Sequence, residues 1–100
     1  MADPGVLKIF DELKQLHIDK DADYAGGTPL SNFRRCEPFG VPAWKGVLIR
    51  MSDKWSRIVS LMEKGETTEV KGESLDDSLR DIAVYAIIVL ALRRYLEPLK

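Results

Sequence analysis

The sequence predicts an all-α protein, a small helical bundle of about four helices. Apolar residues recur at intervals of three and four along most of the chain, as on one face of a helix. No segment alternates Val, Ile or Thr with polar residues in the way a half-buried strand does. The chain has 100 residues, so we expect a single domain over 1–100.

The first helix is indicated by a capping residue and an apolar face. Asp3 is a favourable N-cap, and Pro4 suits the first helical position. Apolar residues then follow at helical spacing, namely Val6, Phe10, Leu13 and Leu16. The helix should end within 19–27, where aspartates and glycines make its continuation unfavourable.

A short second helix and a turn are predicted next. The hydroxyl of Thr28 can cap a helix, and Pro29 again suits its first position. Pro38 ends this helix because the residue before a proline disfavours the helical conformation. The segment 38–42 contains two prolines and a glycine, so we expect a rigid corner there.

The third helix is long and has two distinct faces. Its apolar stripe consists of Trp44, Leu48, Met51, Trp55, Ile58 or Val59, and Met62. This stripe predicts that Trp55 lies in the core, and Gly65 is the predicted C-cap. A charged face runs along the same helix at positions i, i+3, i+4 and i+7. Its residues are Arg50, Asp53, Lys54 and Arg57.

The last helix begins with acidic residues and becomes strongly apolar. Ser74 with Asp77 three residues later resembles a capping box, and the helix should end before Pro98. The segment 82–92 is apolar on more than one face, so one partner helix cannot cover it. A chain this small buries a modest fraction of its surface alone, which favours assembly as a homo-oligomer.

Composition narrows the class of protein. The formal net charge is -1, which does not indicate a protein that binds duplex nucleic acid. Cys36 is the single cysteine, so no intramolecular disulfide is expected and a reducing compartment is indicated. The N-terminus lacks the pattern of a secretory signal, and 82–92 is too short to span a bilayer. We therefore expect a cytoplasmic protein without a membrane partner.

Complementary charge predicts where a site lies. Asp77 and Asp81 are four residues apart and share one face of the last helix, which Tyr85 continues. Carboxylates beside apolar sequence lose hydration, so we expect cations opposite them. The charged face of the third helix supplies such cations, for example Arg50 and Lys54. This pattern predicts a site between these two helices.

Four segments resemble the successive motifs of the nucleotide modification associated domain family, small helical proteins common in phages. They are Asp-Tyr-Ala-Gly at 23–26, Ser-Asn-Phe-Arg at 31–34, and the longer segments 46–57 and 73–86. The resemblance implies a link to nucleotide metabolism. It also implies a phage protein that acts in the cytoplasm of a bacterial host.

A more distant resemblance is to the MazG-like all-α nucleoside-triphosphate pyrophosphohydrolases. In that family two pairs of carboxylates on facing helices hold magnesium. Glu73 and Asp76 match the second pair in type and spacing, whereas the facing helix offers only Asp53 in place of the first pair. If the protein is such an enzyme, the resemblance implies magnesium ligands at Asp53, Glu73, Asp77 and Asp81.

The missing first pair favours binding without catalysis, with no catalytic residue and no cofactor. Arginine and lysine side chains seek phosphate, aromatic rings stack on bases, and carboxylates accept hydrogen bonds from ribose. The predicted ligand-binding residues are Tyr24, Phe33, Arg34, Arg35, Trp44, Lys45, Arg50, Asp53, Lys54, Asp77 and Asp81. The leading hypothesis is an anti-defence sponge that sequesters a nucleotide or a cyclic or ADP-ribose-type signal.

Two alternatives stay open. The first is magnesium-dependent hydrolysis of a nucleoside triphosphate. The second is a structural or interaction protein whose charged helices merely pair. In that case the charged face of the third helix is solvated and holds pairs at i,i+4, and the acids at the start of the last helix interact with the helix dipole. His17 lacks a second metal ligand nearby, so a surface or packing role is expected for it.

Overall fold

The computed structural model describes residues 1–24, 30–64 and 75–95, with residues 21–24 described by their backbone alone. Three long helices account for most of them: α1 (Pro4–Tyr24), α2 (Ala43–Glu63) and α3 (Leu75–Arg94). Two short 3-10 turns, Ser31–Phe33 and Glu37–Phe39, precede α2. These residues contain no strand, so the predicted all-α class is confirmed for them. None of their helices has the length and hydropathy needed to cross a membrane.

The helix ends follow local chemistry. The backbone N–H of Val6 donates to Asp3 Oδ2 at 3.0 Å, so Asp3 caps α1 as predicted. The helix continues to Tyr24, within the predicted range. The second predicted helix is reduced to the turn Ser31–Phe33, and its predicted start at Thr28 lies outside the described residues. Gly65 and Ser74, the predicted cap residues, also lie outside them.

The predicted corner is present between the second turn and α2. Gly40 has φ 82°, a left-handed conformation that glycine adopts without steric cost. Pro42 is extended and precedes the first residue of α2. The start of α2 passes close to the corner, because a Cβ atom added to Gly46 would lie 2.6 Å from Cys36 Sγ. A larger residue at position 46 would therefore require the Cys36 side chain to shift.

The core lies between α2 and α3, which pack against each other far more extensively than α1 packs against α3. Its buried members are Leu30, Ala43, Val47, Ile88 and Leu92. Partly buried side chains pack around them: Phe33, Trp44, Val84, Tyr85 and Val89. Because Leu30 and Phe33 belong to the first turn, that turn is fixed to the α2–α3 pair.

The prediction that Trp55 belongs to the core is wrong, since 59% of its surface is exposed. The buried residues of α2 are Ala43, Val47, Ile58 and Leu61, on a face rotated by roughly 100° from Trp55 at 3.6 residues per turn. The helix has two apolar faces, and periodicity alone does not reveal which one meets α3. We call the exposed one the outer stripe; it comprises Leu48, Trp55, Val59 and Met62.

Helix α3 is also apolar on two sides, as predicted. Ile88 and Leu92 are buried within the chain, whereas Leu79, Ile87 and Leu90 are exposed. One face therefore belongs to the subunit core, and a second face is not covered by the described residues. Assembly as a homo-oligomer stays a prediction.

Candidate functional site

A cleft of about 230 Å³ lies where α1, the first 3-10 turn and the α2–α3 pair meet. Its apolar walls are formed by Leu16 from α1 and by Val84 and Ile88 from α3. Its polar and aromatic lining consists of His17, Lys20, Asn32, Phe33, Arg50, Asp81 and Tyr85. The cleft therefore combines apolar surface with a few polar groups, as ligand sites usually do.

Asp81 joins three helices through two ion pairs. Lys20 Nζ from α1 donates to Asp81 Oδ1 at 3.2 Å, and Lys54 Nζ from α2 lies 2.9 Å from Asp81 Oδ2. Each carboxylate oxygen thus has its own ammonium partner. We call Lys20, Lys54 and Asp81 the ion cluster. Its Lys54–Asp81 half is the complementary pairing predicted between the last two helices.

The ion cluster determines the protonation state of Asp81. Partial burial raises the pKa of Asp81, but hydrogen bonds from Lys54 and Lys20 and their positive charges outweigh it, so the pKa is lowered. The carboxylate is therefore ionised at neutral pH. It can accept hydrogen bonds, but it is a poor proton donor there.

Arg50 is held at the edge of the cleft by an aromatic ring. Its guanidinium carbon lies 4.8 Å from the centroid of the Phe33 ring, a cation–π distance. Its Nη2 donates to the backbone oxygen of Asn32 at 3.1 Å. Phe33 in turn meets Tyr85 edge to face, with centroids 5.8 Å apart and planes at 80°. These contacts orient one cation and two aromatic rings at the cleft.

A more open groove of about 560 Å³ adjoins the cleft. The two share Leu16, Lys20 and Asp81, so they lie side by side. Glu12, Asp77 and Arg80 line the remainder of the groove. Arg80 Nη1 donates to Asp77 Oδ1 at 2.9 Å, one turn apart on α3.

The structure brings four of the eleven predicted ligand-binding residues together. Phe33, Arg50 and Asp81 line the cleft, and Lys54 is bound to Asp81. Asp77 lies in the adjoining groove rather than opposite Arg50. Arg50 and Asp77 thus do not face each other as predicted. Arg50 instead donates to the backbone oxygen of Asn32, and Asp77 accepts from Arg80.

The other predicted residues that the structure describes lie elsewhere. Arg34 pairs with Glu37 at 2.8 Å, while Arg35 and Asp53 are exposed and do not line the cleft. Trp44 packs against the core and carries two cations over its ring, Lys45 Nζ at 5.4 Å and Arg93 Cζ at 5.2 Å. The side chain of Tyr24 and all of Glu73 lie outside the described residues.

The contribution of α1 to the cleft was not predicted from the sequence. Lys20 lies seven residues after Leu13, the buried residue of α1, so helical periodicity places both on one face. That signal was present in the sequence, because the predicted end of the helix within 19–27 allows the helix to include Lys20. His17, for which a surface or packing role was expected, is half-buried and lines the cleft.

The described part of the chain contains no group of three or more His, Cys, Asp or Glu side chains close enough to hold a metal ion. Glu73 is not part of it. Among the four carboxylates proposed as magnesium ligands, Asp81 already has an ammonium group on each oxygen. A metal ion there would have to share these oxygens with Lys20 and Lys54 or displace them.

No protein-family model, curated protein or solved structure matches this chain. Fold and site together define its class: a small all-α protein with a cleft lined by two aromatic rings packed edge to face, cations and one ionised carboxylate. Membership of the nucleotide modification associated domain family stays a prediction from the motifs. The same holds for the resemblance to MazG-like pyrophosphohydrolases.

Proposed function

We propose that the protein binds a phosphorylated nucleoside in the cleft and sequesters it without cleaving it. The observation that carries the proposal is the packing of Arg50 on Phe33 beside Tyr85, in a cleft that Lys20 also lines. A cation oriented by an aromatic ring at the edge of an apolar cleft suits a ligand that has an anionic part and a flat part.

The cations suit the phosphate groups. An arginine guanidinium has five N–H donors and can clamp two phosphate oxygens at once. One N–H group of Arg50 donates to the backbone oxygen of Asn32. This contact fixes the direction in which the guanidinium faces a ligand. Lys20 is half-exposed where the cleft and the groove join, so a phosphate there could remain partly hydrated.

The size of the cleft limits which part of the ligand it holds. Sites for drug-sized ligands have volumes of roughly 300 to 1,000 Å³, which exceeds the 230 Å³ of the cleft. We therefore assign the base or the ribose to the cleft, against Phe33 and Tyr85. The amide of Asn32 and the carboxylate of Asp81 supply hydrogen-bonding groups there. The rest of the ligand extends along the adjoining groove.

The state of Asp81 supports binding over catalysis. A general acid or base works best with a pKa near the operating pH, whereas the pKa of Asp81 is lowered from an already acidic value. Both of its oxygens are engaged by lysines. We therefore propose sequestration of a nucleotide or a cyclic or ADP-ribose-type signal by a phage-type protein in the host cytoplasm. In this proposal it acts as an anti-defence sponge and as a homo-oligomer.

The test identifies the ligand and then weakens its site. The protein is incubated with a nucleotide-rich lysate and denatured, and the released small molecules are identified by mass spectrometry. Calorimetric titration with the identified compound should give a tenfold to hundredfold lower affinity for Arg50→Ala, because a charge-assisted contact is worth about 1.5 to 3 kcal/mol. Arg35→Ala, an exposed arginine outside the cleft, is the matched control. Equal affinities in both variants would contradict the proposal.

Magnesium-dependent hydrolysis is the second candidate. The observation that favours it is that Asp77 and Asp81 line one groove, since one or two carboxylates together with substrate phosphates can bind magnesium. Nucleoside triphosphates incubated with protein and magnesium would then release pyrophosphate, and Asp77→Asn would abolish the release. Recovery of intact triphosphates, which we expect, supports sequestration.

A further inference from the structure

The outer stripe of α2 is the clearest apolar surface that the site does not use. Leu48, Trp55, Val59 and Met62 are all exposed. At 3.6 residues per turn they fall within an arc of about 60°, so they form one continuous strip. The core-facing residues of α2, such as Val47 and Leu61, lie on a different side. Continuous apolar strips of this kind usually mark an interaction surface.

Two opposite charges lie on the same edge of this stripe. Lys45 near the start of α2 and Glu63 at its end are both exposed. Both are rotated from Trp55 in the same direction, by about 80° at 3.6 residues per turn. The stripe thus has a positive group at one end and a negative group at the other, along one border.

This arrangement is self-complementary in one orientation. If two copies of α2 pack antiparallel about a two-fold axis near Trp55, Lys45 of each copy meets Glu63 of the other. The same operation places Leu48 opposite Met62 and brings the two Trp55 rings together at the axis. A parallel pair would separate Lys45 from Glu63 by the length of the helix, so neither charge would meet its complement.

We propose that a second copy of this chain covers the outer stripe, with the two α2 helices antiparallel. The interface is isologous, as in most protein dimers. The proposed function includes self-association, and this proposal names the surface through which it occurs. It needs no ligand, so its test and that of nucleotide binding can fail independently.

Cysteine cross-linking tests the orientation. In a Cys36→Ser background, the double variant Lys45→Cys, Glu63→Cys should form covalent dimers under mild oxidation, whereas each single variant should not. The two positions are 18 residues apart on α2, about 27 Å at 1.5 Å per residue, so a disulfide within one chain is excluded. No dimer in the double variant, or equal dimer in the single variants, would overturn the proposal.

The mass in solution tests the surface. Light scattering of the ligand-free protein should give a dimer or a multiple of it, and Trp55→Glu should shift the mass towards the monomer. Ile49→Glu is the matched control, because Ile49 and Trp55 are 61% and 59% exposed and Ile49 lies off the stripe. Thermal melts of both variants check that folding is retained. A monomeric parent protein, or equal masses for the two variants, would overturn the proposal.

A charge exchange completes the test without changing the stripe itself. Glu63→Lys should weaken the dimer by placing two cations together, and adding Lys45→Glu in the same chain should restore it. Failure of the double exchange to restore the parent's mass would overturn the antiparallel pairing.

Discussion

The α2–α3 pair and α1 form the two walls of the cleft, but they are held in different ways. The pair shares a buried core that includes Val47, Ile88 and Leu92. Of the apolar side chains described on α1, only Leu13 is buried, and Val6 and Phe10 are exposed. One wall is therefore fixed by packing, whereas the other depends mainly on Leu13 and the ion pair of Lys20.

The seam between α1 and α3 shows the same contrast. An apolar groove of about 410 Å³ runs along it, lined by Phe10, Ile18 and Ile87 among others. Segments with few buried contacts open at lower free energy than the rest of a protein. We therefore expect α1 to separate from the α2–α3 pair before the pair unfolds. A ligand that contacts both walls would raise the free energy of that opening.

The largest effect is expected for a substitution in the α2–α3 core, the wall of the cleft that packing holds in place. Ile88→Glu places a charge without a partner among core side chains, which should cost more than about 4 kcal/mol and unfold the chain. Ile87→Glu is the control at the neighbouring position, because Ile87 is 50% exposed and Ile88 is 4% exposed. Circular dichroism and thermal melts should show loss of helix only for Ile88→Glu. A folded Ile88→Glu protein would contradict the assignment of this residue to the core.

A matched pair of leucine truncations measures the contrast directly. Leu92→Ala should destabilise the protein by about 2 to 5 kcal/mol, because the α2–α3 core cannot collapse onto the cavity. Leu13→Ala should cost less, about 1 to 2 kcal/mol, since a weakly packed helix can shift to fill the space. Chemical denaturation gives both values. Equal losses would mean that α1 is held as firmly as the other two helices.

The ion cluster should make stability depend on pH. The pKa of Asp81 is lower in the folded than in the unfolded chain, so its contribution is present above the ordinary value of about 3.9. The contribution disappears as the pH falls through the lower folded value. Asp81→Asn should thus cost about 1 to 2 kcal/mol at neutral pH and little at strongly acidic pH.

Denaturation curves of Asp81→Asn and its parent across that range are the measurement. Asp53→Asn, which changes an exposed carboxylate on α2, serves as control and should change stability little. A cost of Asp81→Asn that is the same at acidic and neutral pH would mean that the ion pairs do not stabilise the fold.

The smallest effect separates the two lysines. The side chain of Lys20 is 49% exposed and that of Lys54 is 26% exposed, so solvent screens the Lys20 pair more strongly. Lys20→Met should cost no more than about 0.5 kcal/mol and Lys54→Met up to about 1 kcal/mol. Salt titrations of both variants give an independent measure. A larger loss for Lys20→Met would show that this ion pair is the main attachment of α1.

Local sequence patterns predicted some features of the fold and of the candidate site but not others. The helical class, the Asp3 cap and the pairing of Lys54 with Asp81 follow from periodicity and capping chemistry, which act within a helix or between adjacent helices. The burial of Trp55 was predicted wrongly, because α2 has two apolar faces and only packing selects one. Lys20 was missed since it reaches Asp81 from a helix distant in sequence.

The crossing of Cys36 and Gly46 gives the molecule an internal reporter. The thiol lies 3.8 Å from Phe33 O and 3.9 Å from Pro42 O, at the corner that also carries the ring beneath Arg50. A reagent such as iodoacetamide reaches a half-buried thiol more readily when the surrounding backbone opens. The alkylation rate of the native protein therefore increases with the opening of this corner. A ligand held against Phe33 should lower the alkylation rate of Cys36, and this measurement needs no label in the cleft.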